Sequence, residues 1–226
     1  MNNIWDSVIN WSEVWALLIP LTVILLCRPT GLGTKPVILY LYIAIILNAM
    51  ATVMVEFYFF MPSWLKNNNI LYNIHSFARV LLFSWYIMSI REYRFPRILK
   101  MLLVAYLIFV VIDFVFLESP LYLSSRLFVA ESIVLLIFCL SFFLRSMQDD
   151  STINWLKHPA FLMCAGIGLY EVISFFIFLF FYPLFEKNPA FGDLTMSIQN
   201  IMYVVLCIVL ALALYKSRKQ RLAAAL

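Results

Sequence analysis

Seven apolar runs follow one another along the chain, each close to the roughly 20 residues that an α-helix needs to cross a bilayer core. They cover Trp11–Cys27, Pro36–Met61, Leu71–Ile90, Met101–Leu117, Leu121–Met147, Pro159–Tyr182 and Ser197–Tyr215. The connections between them run from three residues to about fourteen, too short for any of them to bury a core of its own. The sequence therefore predicts an all-α polytopic membrane protein, a single domain over residues 1–226 folded as a seven-transmembrane-helix bundle.

The composition agrees with a chain that lies in lipid. Of its 226 residues, 65% are apolar and 12% are charged, whereas soluble domains are about half apolar and a quarter charged. The four cysteines lie in or at the edges of the apolar runs. We therefore expect free, buried thiols and no disulfide framework.

The basic residues predict the orientation of the bundle. Twelve of the 16 Lys and Arg residues would lie on one side of the membrane if the N-terminus were outside. They are Arg28, Lys35, Arg91, Arg94, Arg97, Lys100, Arg145, Lys157, Lys216, Arg218, Lys219 and Arg221. Only Lys66 and Lys187 would lie on the other side. The positive-inside rule then predicts an outside N-terminus and a cytosolic C-terminus. Basic residues at the ends of apolar runs indicate a lipid partner and no nucleic-acid partner.

Ionisable residues within the runs are the candidates for function. They are Glu56, His75, Arg79, Asp113, Arg126, Glu131 and Glu171. A charge at the centre of a bilayer costs about 2.5–3.5 kcal/mol even on the lenient insertion scale. These side chains must therefore face the bundle interior, form pairs or contact water.

Helical spacing gathers several of these residues on common faces. Asn48, Thr52 and Glu56 form one stripe at intervals of four, and His75 and Arg79 share a face in the same way. We interpret the set as an outward-opening polar cavity that binds a ligand. Its candidate ligand-binding residues are Glu56, His75, Arg79, Arg126, Glu131, Glu171, Gln199 and Asn200.

The buried charges do not balance, because four carboxyls face two arginines in these runs. Either one or two carboxyls are protonated, or a cation completes the site: a metal ion, an amine or a transported ion. The alternative is that the charged residues only hold helices together, as Arg126–Glu131 and Glu56–Arg79 pairs. For Asp113, near the interface, we favour this structural role. For Glu171, among the deepest, we favour ligand binding.

Glu13 lies near the start of the first run, where its simplest role is structural. Asn10, followed three residues later by Glu13, resembles a helix cap. We therefore interpret Glu13 as a capping residue.

The sequence lacks residues that several known classes of seven-helix membrane protein require. A retinal protein requires a lysine midway along its last helix, and Ser197–Tyr215 contains none. Zinc-dependent seven-helix hydrolases need several histidines within their spans, and the chain has two in all, His75 and His158. We therefore expect no cofactor, leave metal binding open, and consider an enzyme the weaker hypothesis.

Three stretches carry a resemblance to a known group. They are Asn68–Tyr86 (NNILYNIHSFARVLLFSWY), Arg126–Met147 (RLFVAESIVLLIFCLSFFLRSM) and His158–Phe180 (HPAFLMCAGIGLYEVISFFIFLF). Together they resemble short, uncharacterised seven-helix membrane proteins of Bacteroidota-type bacteria. Such proteins are often encoded near sensor histidine kinases, so the resemblance implies signalling in a bacterial cytoplasmic (inner) membrane. The chain departs from the group at Arg79, where the third helix would carry an acidic residue.

The function favoured at this point is that of a receptor-like or sensory membrane protein. It would bind a small molecule or cation in the cavity and signal through a partner such as a membrane histidine kinase, because no output domain is present. The alternatives are a small ion- or proton-coupled transporter and an accessory membrane subunit. A lipid-modifying enzyme comes last.

Overall fold

The computed structural model describes residues 8–9, 11–27, 32–57, 60, 67–90, 97–117, 119, 121–148 and 158–224. These residues form an all-helical fold, with no strand among them. The α-helices are α1 (Ser12–Cys27), α2 (Lys35–Glu56), α3 (Asn69–Met88), α4 (Arg97–Ile112), α5 (Ser125–Gln148), α6 (Pro159–Lys187) and α7 (Pro189–Ala224). A short 3-10 turn precedes α2, and a π-helical segment, Asp113–Leu117, continues α4.

Five of these helices are long and apolar enough to cross a membrane. The candidate spans are Lys35–Glu56, Arg97–Leu117, Ser125–Gln148, Pro159–Phe180 and Ala190–Arg218. Helix α1 is apolar but has only 16 residues. Helix α3 has 20 residues but does not qualify, because it contains Asn73, His75 and Arg79 among other polar residues. Five apolar helices indicate an integral membrane protein.

The helix bounds follow the predicted runs closely, except at the C-terminal end. The segment between the sixth and seventh runs was expected to be a connection, but α6 continues to Lys187 and α7 begins at Pro189. Hydropathy marks only the apolar part of a helix, whereas polar residues such as Asp193 and Thr195 continue it. Proline opens both α6 and α7, at the position where its missing N–H costs nothing.

The helices form a closed ring in the order α1, α2, α3, α5, α6, α7, with α7 returning to α1. Helix α4 lies outside this ring and packs mainly on α5. Its buried side chains, Leu99, Tyr106, Val110 and Asp113, form a single stripe. The rest of α4 is largely exposed and apolar, as expected of a surface that faces lipid.

The two ends of the bundle differ in polarity. At one end, which we call the basic end, lie Lys35, Arg97, Lys100, Arg145 and Lys216. The core nearer this end is largely apolar, and Tyr40, Phe83, Phe138 and Phe142 are its largest completely buried side chains; Ser84 is also completely buried there. The opposite end, which we call the cavity end, contains the start of α3 and α7 and the last turns of α2. The site described next opens there.

Candidate functional site

A cavity of about 520 Å³ lies at the cavity end of the ring. Residues from α1, α2, α3, α5, α6 and α7 line it, together with Leu123 just before α5. This volume is within the range of small-molecule sites in proteins. Five of the eight predicted ligand-binding residues line the cavity directly: Glu56, His75, Arg79, Gln199 and Asn200.

Arg79 forms the floor of the cavity and joins it to two buried carboxyls. Its Nη1 lies 3.3 Å from Oε1 of Glu131 and 4.0 Å from Oε1 of Glu171. The three residues come from α3, α5 and α6, and each is at most 4% exposed. We call Arg79, Glu131 and Glu171 the charged triad.

Serines support both carboxyls of the triad. The Ser76 hydroxyl donates to Oε2 of Glu131, and the Ser132 hydroxyl donates to Oε2 of Glu171 at 2.8 Å. The Oε1 atoms of both glutamates lack a hydrogen-bond partner among the described residues, although both are ion-paired with Arg79 through this atom. One guanidinium thus serves two carboxyls, which leaves one negative charge if both carboxyls are ionised.

A tyrosine links the triad to α7. The hydroxyl of Tyr170 accepts hydrogen bonds from Arg79 Nη1 at 3.0 Å and from Gln199 Nε2 at 2.6 Å. Nε2 of Gln199 also donates to the Ser174 hydroxyl at 2.8 Å. The guanidinium carbon of Arg79 lies 4.9 Å from the centre of the Tyr170 ring, within range of a cation–π contact. Arg79 is therefore held on several sides.

His75 occupies the wall between α2 and α7. Its Nε2 and the hydroxyl of Tyr40 share a hydrogen bond of 3.1 Å, and the two rings stack with centroids 5.6 Å apart. The ring of Tyr203 meets His75 edge-on at 6.3 Å. Ser76, the neighbour of His75 in sequence, donates to Glu131. His75 thus belongs to an aromatic wall.

Two acidic residues lie nearer the mouth of the cavity. Glu56, in the last turn of α2, lines the cavity and is exposed. Glu13, in the first turn of α1, also lines it, beside the side chain of Tyr72. The backbone oxygen of Glu13 accepts a hydrogen bond of 3.0 Å from Asn48 Nδ2, which ties α1 to α2. Asn200 lines the α7 side and donates to the backbone oxygen of Ile9 at 3.4 Å.

The remaining predicted residues are placed differently. Glu131 and Glu171 lie behind Arg79 and do not line the cavity. Arg126 is exposed and does not line it either. The sequence suggested the pairs Arg126–Glu131 and Glu56–Arg79. In the structure Arg79 instead pairs with Glu131 and Glu171, because the Glu131 side chain on α5 points towards α3.

Asp113 takes the structural role that we favoured for it. It is completely buried, and its Oδ2 accepts a hydrogen bond of 2.8 Å from the Ser124 hydroxyl. The backbone nitrogen of Ser124 donates to Asn73 Oδ1 at 3.4 Å, and Asn73 Nδ2 donates to the backbone oxygen of Tyr122 at 2.8 Å. This chain of contacts joins α4, α5 and α3.

Sequence reasoning missed three residues of the site. Glu13 was interpreted as a cap, but it lines the cavity; Asn10, its proposed partner, lies outside the described residues. Tyr40 continues the stripe of Asn48 towards the start of α2, eight residues earlier. Tyr72 shares the face of His75 on α3, three residues earlier. The spacing rule that was applied to polar residues would have found both tyrosines.

Within the described residues, no group of three or more His, Cys, Asp or Glu side chains could hold a metal ion. Comparisons of the chain with models of protein families, with curated proteins and with solved structures find no match.

Proposed function

We propose that this protein is a receptor-like, sensory membrane protein of seven transmembrane helices that binds a ligand in its cavity. The observation that carries this proposal is that none of the side chains that define the basic end lines the cavity. Between Arg79 and the basic end the core is largely apolar, with Phe83, Phe138 and Phe142 completely buried, although it includes the hydroxyls of Tyr40 and Ser84. A site that opens on one side of the membrane, with packed side chains on the other side, fits a receptor, because a ligand can enter and leave it but not pass through.

The proposed orientation places the cavity outside the cell. The described basic side chains Lys35, Arg97, Lys100, Arg145 and Lys216 all lie at the basic end, and the positive-inside rule assigns that end to the cytosol. Arg28, Lys66, Arg91, Arg94 and Lys157, which entered the same prediction, lie outside the described residues. The seven spans include α1 and α3, whose insertion relies on contacts with the apolar helices.

Signalling requires a partner protein in this proposal. The resemblance to seven-helix proteins encoded near sensor histidine kinases supports a membrane kinase as that partner, in a bacterial cytoplasmic membrane. The exposed Arg97 and Lys100 at the start of α4, together with Lys216 of α7, form the corresponding candidate contact surface on the basic end. Anionic lipid headgroups would occupy the same side chains in the absence of a partner.

Two other functions fit the observations less well. A proton- or ion-coupled transporter would make use of buried carboxyls, but it needs a polar route to the basic end, where the buried aromatic core lies instead. An accessory subunit that bound its partner through charged residues would direct them towards lipid. Glu131 and Glu171 are 1% and 0% exposed and face the bundle interior.

Two experiments test the proposed function. First, a Thr52→Cys variant should react in right-side-out membrane vesicles with a membrane-impermeant maleimide, because Thr52 lines the cavity. The parent protein of this variant and of every cysteine variant below carries Cys27→Ser, because Cys27 in α1 is partly exposed, and it serves as the blank, since Cys139, Cys164 and Cys207 are buried. Modification that occurs only in inverted vesicles would overturn the orientation.

The second experiment concerns signalling. Gentle detergent extraction from the native host, followed by mass spectrometry, should recover a stoichiometric kinase or other signalling protein. A Glu171→Gln variant should remain folded, since the Ser132 hydroxyl can still donate to the amide oxygen, but it should no longer control its partner's activity. Normal control by this variant would show that the charged triad is not part of the site.

A further inference from the structure

We propose that the ligand of this cavity is an organic cation, a protonated or quaternary amine that carries an apolar or aromatic group. This inference rests on the proposed function in one respect, that the cavity is a ligand site. It adds the chemical class of the ligand. The argument combines the charges, the unused hydrogen-bonding atoms and the aromatic side chains around the cavity.

The charges around the cavity are predominantly negative. Glu13 and Glu56 line it, and Glu131 and Glu171 lie directly behind its floor. Arg79 is the one Lys or Arg among the lining residues that the structure describes. With one carboxyl of the triad protonated and Glu13 and Glu56 ionised, three carboxylates surround a single guanidinium. A cation therefore enters this cavity favourably and an anion does not.

Arg79 lines the cavity, but it is a poor anion-binding group. Its Nη1 contacts Glu131 at 3.3 Å and Glu171 at 4.0 Å and donates to the Tyr170 hydroxyl, whereas its Nε has no hydrogen-bond partner among the described residues. An anion that accepted from Nε would share one guanidinium with two carboxyls, and one that took Nη1 would leave a buried carboxyl without its counter-ion. The cost of an unpaired buried charge opposes that exchange.

An unused acceptor near the floor favours a ligand that donates hydrogen bonds. The Nε2 atom of Gln199 is bonded to Tyr170 and Ser174, whereas its Oε1 atom has no partner among the described residues. Gln199 lines the cavity and is only 6% exposed. An unsatisfied buried polar atom is costly, and an ammonium N–H would satisfy this one.

The aromatic lining accounts for the apolar part of the ligand. Trp11, Tyr72, Phe128, Phe178 and Tyr203 line the cavity, and the rings of Phe128 and Phe178 stack with centroids 4.4 Å apart. Aromatic faces attract cations and pack against apolar groups. A volume of about 520 Å³ is suited to an organic molecule and is far larger than a bare ion requires.

The test uses cysteine modification, so it does not require the natural ligand. The Thr52→Cys variant is treated with two methanethiosulfonate reagents of similar size, one carrying a trimethylammonium group and the other a sulfonate. Both rates are divided by the rates measured at an Asn188→Cys variant, whose side chain is exposed outside the cavity. We expect the cationic reagent to be favoured at position 52 by about tenfold or more after this correction.

Matched variants then locate the source of the preference. In the Thr52→Cys background, Glu56→Gln or Glu13→Gln should each lower the preference by about threefold or more, because each removes one carboxylate near the probe. Asp193→Asn is the control, since it removes a negative charge from an exposed residue that does not line the cavity. It should leave the ratio unchanged.

Small probes provide a second readout on the Thr52→Cys protein. Phenethylammonium should slow modification by the cationic reagent, whereas its neutral and anionic analogues, 2-phenylethanol and phenylacetate, should protect at least about tenfold less well. Equal corrected rates for the two reagents, or better protection by phenylacetate, would overturn the cation proposal and leave the outward cavity intact. A lack of reaction with either reagent from the outside would overturn the proposed function itself, and with it this inference.

Discussion

Two buried carboxyls share one guanidinium at the floor of the cavity, so the stability of the protein depends on Arg79. Arg79→Gln would leave Glu131 and Glu171 buried without their cation. Breaking a buried ion pair by removing one partner costs about 3–5 kcal/mol. We expect a loss of this size in the free energy of unfolding, measured by reversible unfolding in mixed micelles.

Two further variants provide the control and the result that would contradict this prediction. Arg126→Gln removes the same kind of charge from an exposed position, so its cost should stay below about 1 kcal/mol. Adding Glu131→Gln to Arg79→Gln should restore part of the lost stability, since one uncompensated carboxylate is then gone. If the double variant were less stable than Arg79→Gln alone, the two residues would not act as an ion pair.

The residues of the site were only partly predictable. Burial of His75, Arg79, Glu131 and Glu171 followed from their depth in apolar runs, and the structure confirms it. Which of them meet was not predictable, because the rotation and the neighbours of each helix are set by packing across the whole ring. Glu13 was missed because a carboxylate at the end of an apolar run has a common structural explanation in helix capping.

At the scale of helices, α6 and α7 approach each other closely through a glycine. A Cβ atom added at Gly166 would lie 2.8 Å from Cγ1 of Val209, closer than packed atoms allow. We expect Gly166→Ala to lower stability by about 1–3 kcal/mol. Thermal unfolding in detergent would measure this effect.

Gly168, half a turn further along α6, is the matched control. A Cβ there would lie 3.6 Å from Cβ of Cys139, an ordinary contact. Gly168→Ala should therefore be neutral or stabilising, by up to about 1 kcal/mol from helix propensity. A result in which both variants behaved alike would show that α6 and α7 are not packed as described.

The attachment of α4 gives a second prediction for a helix. Asp113 holds the end of this peripheral helix to Ser124. Asp113→Ala should cost about 0.6–2 kcal/mol, and a double-mutant cycle with Ser124→Ala should assign most of that cost to the pair. Ile108→Ala, on the exposed face of α4, is the control and should have little effect. Additive single effects would contradict the pairing.

Helix number and most helix bounds were predictable because an apolar run near 20 residues has few other structural outcomes. The position of α4 outside the ring was harder to foresee. Apart from Arg97 and Lys100 at its start and Asp113 at its end, its sequence is apolar on all sides, and such a helix fits equally well inside a core or against lipid. The extensions of α6 and α7 were missed because their ends are polar.

For the molecule as a whole, the proposed orientation makes a direct prediction. Green fluorescent protein fused after residue 226 should fluoresce in a bacterial host, because the reporter becomes fluorescent when it folds in the cytosol. Alkaline phosphatase fused at the same place should be inactive there. A cysteine introduced before residue 1 of the Cys27→Ser protein should react with a membrane-impermeant maleimide in right-side-out vesicles. A cytosolic location of both ends would require an even number of spans and would exclude the seven-helix topology.

The polar character of α3 has a consequence for how the protein is made. Residues of α3 find their partners much later in the chain: Ser76 lies 55 residues before Glu131, and Arg79 lies 91 residues before Tyr170. At synthesis rates of about 5–20 residues per second, α3 leaves the ribosome some 3–20 s before the helices that neutralise it. A nascent chain truncated after α4 should therefore leave α3 open to water-soluble thiol reagents at an introduced Ser76→Cys, while the completed chain protects that position. Membrane insertion would then depend on an insertase that holds α3 until α5 and α6 arrive. The same residues that form the floor of the cavity would cause this dependence.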